Sequence, residues 1–388
     1  MHKIMFSAGE VSGDMHGAEL AAALRDIEPD IRMIGFGGSQ MEAAGVELCR
    51  NMQDYNVMGF WEVFCNLRRM FRLRDVLLQA MQREKPDLLV LIDYPDFNWR
   101  LAKRAKAAGI PVFSYIPPSV WAWRKGRAKM VAETAVQIAA IFPFETKAYR
   151  DAGAAIEFVG NPLVDTVKPS MTREAAAEYF ALDPGKHNVL LLPGSRQQEI
   201  MLLLPEMLKA AKLLIIKQPD TEFFLPAAPG VSRDLLEMFI QKSGIHVQIK
   251  TDCTYDLMNL CEVAIATSGT VILETALMGL PTVVLYKMSP ISYFIGSMLI
   301  HVANFSLPNI IAGERIQPEL LQDEVKAERI AEETLRFYRN RDEAACVKEK
   351  LKKIREQLGA PHAAKRAANL ILATADRCKQ KLLEDNNE

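Results

Sequence analysis

The chain has 388 residues, 49% hydrophobic and 24% charged, which excludes wholesale disorder and is too long for one ordinary core, so two domains are expected. Its 47 basic and 48 acidic residues leave a net charge of -1, without the basic excess of a protein devoted to nucleic acid. The six cysteines form no C-x-x-C pair and no window of about 20 residues is uniformly apolar, which argues against a disulfide scaffold, a zinc ribbon and a spanning helix.

The N-terminus enters an apolar strand at once, without a signal-peptide pattern, so a cytoplasmic protein is expected. Strand-length apolar runs follow at 3–7, 32–35, 88–92, 111–115, 137–142 and 157–159, with helical patterns at 17–26, 72–83 and 100–108 between them. Short continuous apolar strands alternating with helices read as parallel βαβ units. The pattern restarts at 189–192, 222–225, 246–249, 263–266 and 282–286, after a weaker stretch at about 165–188 that is the expected junction. From 318 onward the chain is charged and helical, with amphipathic patterns at 328–341 and 355–381 and no convincing strand. The expected fold is therefore α/β. Domain 1–168 and domain 186–317 are two Rossmann-like units facing a cleft, and a helical region, 318–388, packs on their sheets. Ligands of such sheets bind beyond the carboxyl ends of the strands.

The first strand runs into Ser7-Ala8-Gly9-Glu10-Val11-Ser12-Gly13-Asp14. Glycines permit a tight turn, and the amides at the next helix start suit an anion or a sugar oxygen. Neither G-x-G-x-x-G nor a Walker lysine is present, which disfavours nicotinamide and ATP. Glu10, Ser12 and Gly13 are candidate substrate-binding residues, against the alternative of a plain turn. The 88–92 strand ends in Asp93-Tyr94-Pro95-Asp96-Phe97-Asn98. Two carboxylates three apart can raise one pKa and supply a base near neutral pH. The alternative is that either acid caps the next helix. Pro117-Pro118-Ser119-Val120-Trp121-Ala122-Trp123-Arg124 reads as a rigid turn with tryptophans for packing or for a lipid or sugar site.

In the second half, Gly194, Ser195 and Arg196 offer a helix-start amide, a hydroxyl and a fixed positive fork to phosphate. Ser268, Gly269 and Thr270 form a second such turn, and Glu274 follows one helical turn later, where it can accept hydrogen bonds from ribose. Asn309 is a candidate amide donor. The histidines are scattered, no D-x-D occurs, and no metal or cofactor is expected. Residues 58–74 mix apolar Phe60, Trp61, Phe64, Leu67 and Phe71 with Arg68, Arg69 and Arg72, a composition suited to an anionic bilayer surface, or to a core helix with a basic solvent face.

The strings S-A-G-E-V-S-G-D, M-G-F-W-E-V, D-Y-P-D-F-N, P-P-S-V-W-A-W-R, L-P-G-S-R, S-G-T-V-I-L-E and S-L-P-N-I-I-A-G occur in this order. Together they resemble the bacterial lipid-A-disaccharide synthase family over about residues 3–322. The resemblance implies a glycosyltransferase B-type fold and an inverting, metal-independent transfer. It implies the donor UDP-2,3-diacylglucosamine, the acceptor 2,3-diacylglucosamine 1-phosphate, and UDP and a β-1,6-linked disaccharide 1-phosphate as products. Asp96 is then the expected catalytic base with Asp93 its electrostatic partner, Asn98 and the first loop meet the acceptor, and the protein works peripherally at the inner-membrane surface. The assembly state stays open, a homodimer included. Gly160-Asn161-Pro162 departs from the histidine-bearing turn of many relatives, which weakens any proton-transfer role there. The rival readings are a UDP-hexosamine epimerase of the same architecture and a noncatalytic UDP-sugar-binding protein.

Overall fold

The computed structural model describes residues 1–55, 62–118, 125–183, 185–228, 230–288 and 304–385, with backbone alone at 55, 62–68, 125 and 385. The chain forms two units. One comprises Met1–Pro162 and Leu358–Glu388, the other Leu163–Gln357.

In the first unit seven parallel strands are ordered β3-β2-β1-β4-β5-β6-β7. They are β1 Lys3–Ala8, β2 Arg32–Gly37, β3 Glu47–Asn51, β4 Leu88–Ile92, β5 Val112–Tyr115, β6 Gln137–Ala140 and β7 Ile156–Phe158. Ile4 pairs with Leu88 and Ala8 with Ile92, in register. Alternation then sends Ile4, Phe6, Ala8, Leu88, Val90 and Ile92 into one core layer and Met5, Leu89 and Leu91 into the other. Both faces are covered by helices, which is why these strands are apolar throughout. On one face lies α1 (Val11–Ile27), and on the other α3 (Glu62–Glu84) and α4 (Pro95–Ala107), with α2 (Ser39–Ala43) after β2.

The second unit repeats the plan with six parallel strands, β10-β9-β8-β11-β12-β13. They are β8 His187–Leu192, β9 Thr221–Pro226, β10 Gln248–Lys250, β11 Val263–Thr267, β12 Thr282–Tyr286 and β13 Glu319–Leu321. Each strand run expected from the sequence is present. Two strands are additional, β3 and β13, and both lie at sheet edges, where a strand is half-exposed or short and lacks a continuous apolar run.

The domain boundaries differ from the expected ones. The chain passes between units at Pro162–Leu163, so the weak stretch at 165–188 belongs inside the second unit. Ser170 and Met171 donate backbone amides to buried Asp256, and Ser170 adds its hydroxyl, which binds this stretch to its own sheet. The expected helical region 318–388 also divides. The helix Ala327–Arg339 packs along Gln197–Lys217 in the second unit, whereas the last helix, Ala363–Asp385, packs along α1 in the first. Ala367, Ile371 and Ala375, one turn apart, enter the first core. Small side chains there let the last helix lie close to α1. His2 ties its far end down, with Nδ1 2.6 Å from Glu28 and Nε2 3.0 Å from Asp376.

Candidate functional site

The carboxyl ends of β1 and β4 build the mouth of the first sheet. A side chain on Gly9 would run into the ring of Tyr94, so glycine lets the tyrosine cross the β1–α1 turn. Glu10 and Ser12 are exposed at the start of α1. Gly13 is buried instead, and a Cβ there would stand 3.4 Å from Ala8 Cβ, so its smallness serves helix–strand packing rather than a ligand. Asp14 is also structural. Its carboxylate accepts from the backbone amides of Gly38, Gln40 and Met41 at 2.7, 3.1 and 3.0 Å, fastening α1 to the next loop.

After β4 the backbone passes through two successive left-handed residues, Asp93 (φ 48°) and Tyr94 (φ 51°). Such non-glycine residues each cost about 1–3 kcal/mol and persist where the surroundings over-determine them. Asn98 supplies that constraint. It accepts Ser7 Oγ at 2.6 Å and donates to the carbonyls of Ser7, Ile92 and Asp93 at 3.1, 3.3 and 2.7 Å. The buried amide is fully used, which corrects the expectation that it meets substrate. It joins the ends of β1 and β4 and holds the turn that carries Asp93.

The two acids differ. Asp93 is half-buried, and burial pushes its carboxyl up, opposed by the Tyr94 backbone amide and the charge of His16. Asp96 lies in the first turn of α4 with its side chain 89% exposed, and Arg127 Nη2 donates to its Oδ1 at 3.1 Å. Asp96 forms part of the rim of two cavities. One, of about 170 Å³, is lined by Met70, Phe71, Arg74, Asp96, Phe97 and Arg100. The other, of about 200 Å³, is lined by Pro95, Trp99, Pro118, Arg127, Met130 and Val131 with Asp96. Asn161 is buried in this unit and donates to Ile141 O at 3.4 Å.

Of the expected membrane-facing residues, Phe60 and Trp61 lie outside the described residues, as do Trp121 and Trp123, and the side chains of Phe64, Leu67 and Arg68 are likewise outside. Arg69, Phe71 and Arg72 are exposed, while Leu73, Leu77, Ala80 and Met81 of the same helix are buried. That division makes α3 amphipathic, with a core face and a basic, partly aromatic outer face. Among the described residues no helix is long and apolar enough to cross a membrane.

The second sheet has a different mouth. After β8, Gly194 adopts φ 115°, a conformation that favours glycine, and Arg196 begins the helix Gln197–Lys217. Glu199 reaches back to Arg196, its Oε1 3.1 Å from Nη1. After β11, Ser268 and Gly269 lead into the helix Thr270–Leu277, which carries Glu274. Gly194, Ser195, Arg196, Ser268, Gly269, Thr270 and Glu274 all line one cavity of about 860 Å³. Two helix N-termini therefore open into the same space, an arrangement that favours anions. Glu274 is half-buried and burial raises its carboxyl; Tyr255, beside it, is pushed up to about 12 by burial and by the glutamate's charge.

Asn309 does not join this cavity. It is buried, donates to Gln317 O and Glu319 Oε1 at 2.9 and 2.8 Å, and accepts the amides of Ile316 and Gln317 at 2.9 and 3.0 Å. Glu319 in turn accepts the amides of Phe305 and Ser306. This closed cluster corrects the reading of Asn309 as a ligand donor. The cavity contains residues that the sequence reading missed, among them Lys168, Ala227, Thr251, Asp252, Cys253 and Glu199. Several follow β9 and β10, so the strand-end rule, applied to each strand of the sheet, would have found them. Among the described residues no group of three His, Cys, Asp or Glu could hold a metal.

A family model described as lipid-A-disaccharide synthetase matches residues 4–373. The chain is 42% identical to a lipid-A-disaccharide synthase of Geobacter metallireducens over 370 residues, 95% of this chain and 96% of that protein. It is 44% identical to the enzyme of that name from Syntrophus aciditrophicus, over 95% of this chain and 97% of that protein. Among solved structures it is similar to a putative UDP-N-acetylglucosamine 2-epimerase from Listeria monocytogenes, with a TM-score of 0.62 at 15% identity, covering 96% of this chain and 95% of the other. A calicheamicin glycosyltransferase gives a TM-score of 0.62 at 14% identity, over 97% and 99%. At such identities these structures speak for the fold, a glycosyltransferase B-type arrangement of two parallel-sheet α/β domains.

Proposed function

The chain belongs to the lipid-A-disaccharide synthase family, and from that premise we propose that it transfers 2,3-diacylglucosamine from its UDP derivative to 2,3-diacylglucosamine 1-phosphate. It is a glycosyltransferase of lipid A disaccharide formation. The observation that carries the finer reading is the cavity of the second unit. There two helix N-termini, the hydroxyls of Ser195, Ser268 and Thr270, the Arg196 fork and the half-buried Glu274 line a single space with Glu199. This set matches a nucleoside diphosphate: amides and guanidinium for phosphates, Glu274 for ribose hydroxyls.

The acceptor 6-hydroxyl attacks the anomeric carbon on the side opposite the diphosphate, the C–O bond to UDP breaks, and configuration inverts. A primary alcohol needs help to lose its proton. Asp96, exposed at the mouth and ion-paired to Arg127, is open to a sugar hydroxyl, and it serves as the base. Such a base contributes about 10²–10⁴-fold. Asp93 tunes the mouth from its half-buried place at the end of β4. Charge developing on UDP is stabilised by Arg196 and the amides around Ser195 and Ser268–Thr270. Glu10 and Ser12 orient the acceptor, and the outer face of α3, with Arg69, Phe71 and Arg72, meets the cytoplasmic surface of the inner membrane, where both lipid substrates are embedded.

The test is to incubate the protein with both acylated glucosamines and follow the products by mass spectrometry. A tetraacyl disaccharide 1-phosphate with equimolar UDP is expected. Epimerised UDP-sugar without disaccharide would sink the reading.

A further inference from the structure

The small cavity between α3 and α4 is unlike the rest of the mouth. Its walls are Met70, Phe71 and buried Phe97, and its rim carries Asp96, Arg74 and Arg100. The apolar walls are mutually braced. The Tyr94 hydroxyl reaches Met70 Sδ at 3.4 Å, the rings of Tyr94 and Phe97 lie 5.7 Å apart, and the Arg74 guanidinium stands 5.0 Å over Phe71. Arg74 is already paired with Asp75 at 2.7 Å, so it acts as wall and lid to the apolar space. Arg100 is exposed.

We infer that this cavity holds the first part of one acyl chain of the acceptor, with the acceptor's phosphate on Arg100 and its 6-hydroxyl on Asp96. The assignment rests on the reaction proposed above. Three features support it. Asp96 and Arg100 are four residues apart on one helix, so their side chains leave the same face about 5–6 Å apart, the scale of one hexose ring. A sugar with a hydroxyl at one end and a phosphate at the other is complementary to that pair of charges. The cavity opens beside both residues and is lined by apolar side chains, which suits a hydrocarbon branch leaving the same ring. Its place beside the exposed Phe71 and Arg72 of α3 gives a chain drawn from a bilayer a dry surface to move onto. The chain then anchors the ring, so that the hydroxyl presented to Asp96 is set by packing as well as by hydrogen bonds.

The experiment measures equilibrium binding of short-chain, monomerically soluble acceptor analogues to the full-length protein, without donor and without vesicles. In the wild type, affinity rises about fourfold for each methylene that enters the cavity, the equivalent of ~0.8 kcal/mol per buried methylene. Met70→Trp, which fills the space, removes this dependence on chain length while an unchanged circular-dichroism spectrum and thermal unfolding of the protein report that the first unit is intact; Met70→Phe replaces it if the larger side chain prevents folding. Arg100→Ala weakens the phosphate-bearing analogue about tenfold and leaves its dephosphorylated counterpart unaffected, as expected for a lost charge-assisted contact. Wild-type affinity indifferent to chain length overturns the assignment. So does a Met70→Trp protein that keeps the dependence but, in a separate sedimentation assay, loses binding to anionic vesicles, since the cavity would then belong to bilayer lipid. Chain-length dependence without disaccharide formation would keep the pocket and remove the reaction.

Discussion

The two sheets share a strand order, 3-2-1-4-5-6 counted from the first strand of each unit, and yet their mouths differ in chemistry. In the first, the strand ends carry Asp93 and Asp96 with aromatic and apolar surface beside them. In the second they carry helix-start amides, hydroxyls and Arg196, together with the acids Glu199, Asp252 and Glu274, around a much larger space. The topology determines where a ligand can sit, and the few residues after each strand determine what it can be. A carboxylate mouth suits a neutral hydroxyl that must give up a proton. A mouth of amides and guanidinium suits a leaving group that gains negative charge.

The contrast can be broken by experiment. The largest effect is expected at the first mouth, where Asp96→Asn should lower turnover at least a hundredfold, on the order of what a general base supplies, with UDP affinity unchanged. Near-normal turnover at saturating substrate would remove Asp96 from the base role. Next, changing Arg69 and Arg72 to Glu should weaken binding to anionic vesicles by about thirtyfold or more, from ~1 kcal/mol per basic residue at such a surface. Vesicle affinity equal to wild type in a sedimentation assay would show that the outer face of α3 does not meet lipid.

At the second mouth, Arg196→Ala should weaken UDP by about tenfold, as for loss of one charge-assisted hydrogen bond, and should leave uridine binding alone. Equal losses for UDP and uridine would mean that the arginine supports the loop and does not contact phosphate. The smallest effect concerns stability. Burial raises the folded-state pKa of Asp93 above its unfolded value, so the folded protein keeps that proton to higher pH. The ionised carboxylate therefore costs folding free energy above the folded pKa, and the cost vanishes below the unfolded one. Asp93→Asn should raise Tm at neutral pH, since asparagine also tolerates the left-handed backbone, and the gain should fade as pH falls through the carboxylate range. A Tm difference independent of pH would contradict the burial argument.

Much of the architecture was legible because its signal is local. The runs at 88–92 and 263–266 are apolar end to end, and that follows from helices covering both faces of each sheet. β13 was not legible, since three residues at a sheet edge carry no periodicity. The helix Ala363–Asp385 was visible as an amphipathic pattern, but the partner of its alanine face is α1, more than 300 residues earlier by the numbering, and no local pattern encodes that. The site divides in the same way. Ser195, Arg196, Ser268, Thr270 and Glu274 follow strands and line the cavity. Asp14, Asn98 and Asn309 also sit in the first turns of helices, yet each satisfies backbone amides or carbonyls that would otherwise be buried without partners. A sequence shows that a polar side chain is present near a strand end or helix start. It does not show whether the protein's own backbone has already claimed it.

The return of Ala363–Asp385 to the first unit has a consequence for biosynthesis. The first sheet is translated earliest, but the groove along α1 that receives Ala367, Ile371 and Ala375 stays open until residues 363–385 have been synthesised. The second unit, 163–357, leaves the ribosome whole before that helix is available. The nascent N-terminal half must therefore wait with part of its interior uncovered, and early termination before 363 would strand it in that state, a natural client for chaperones.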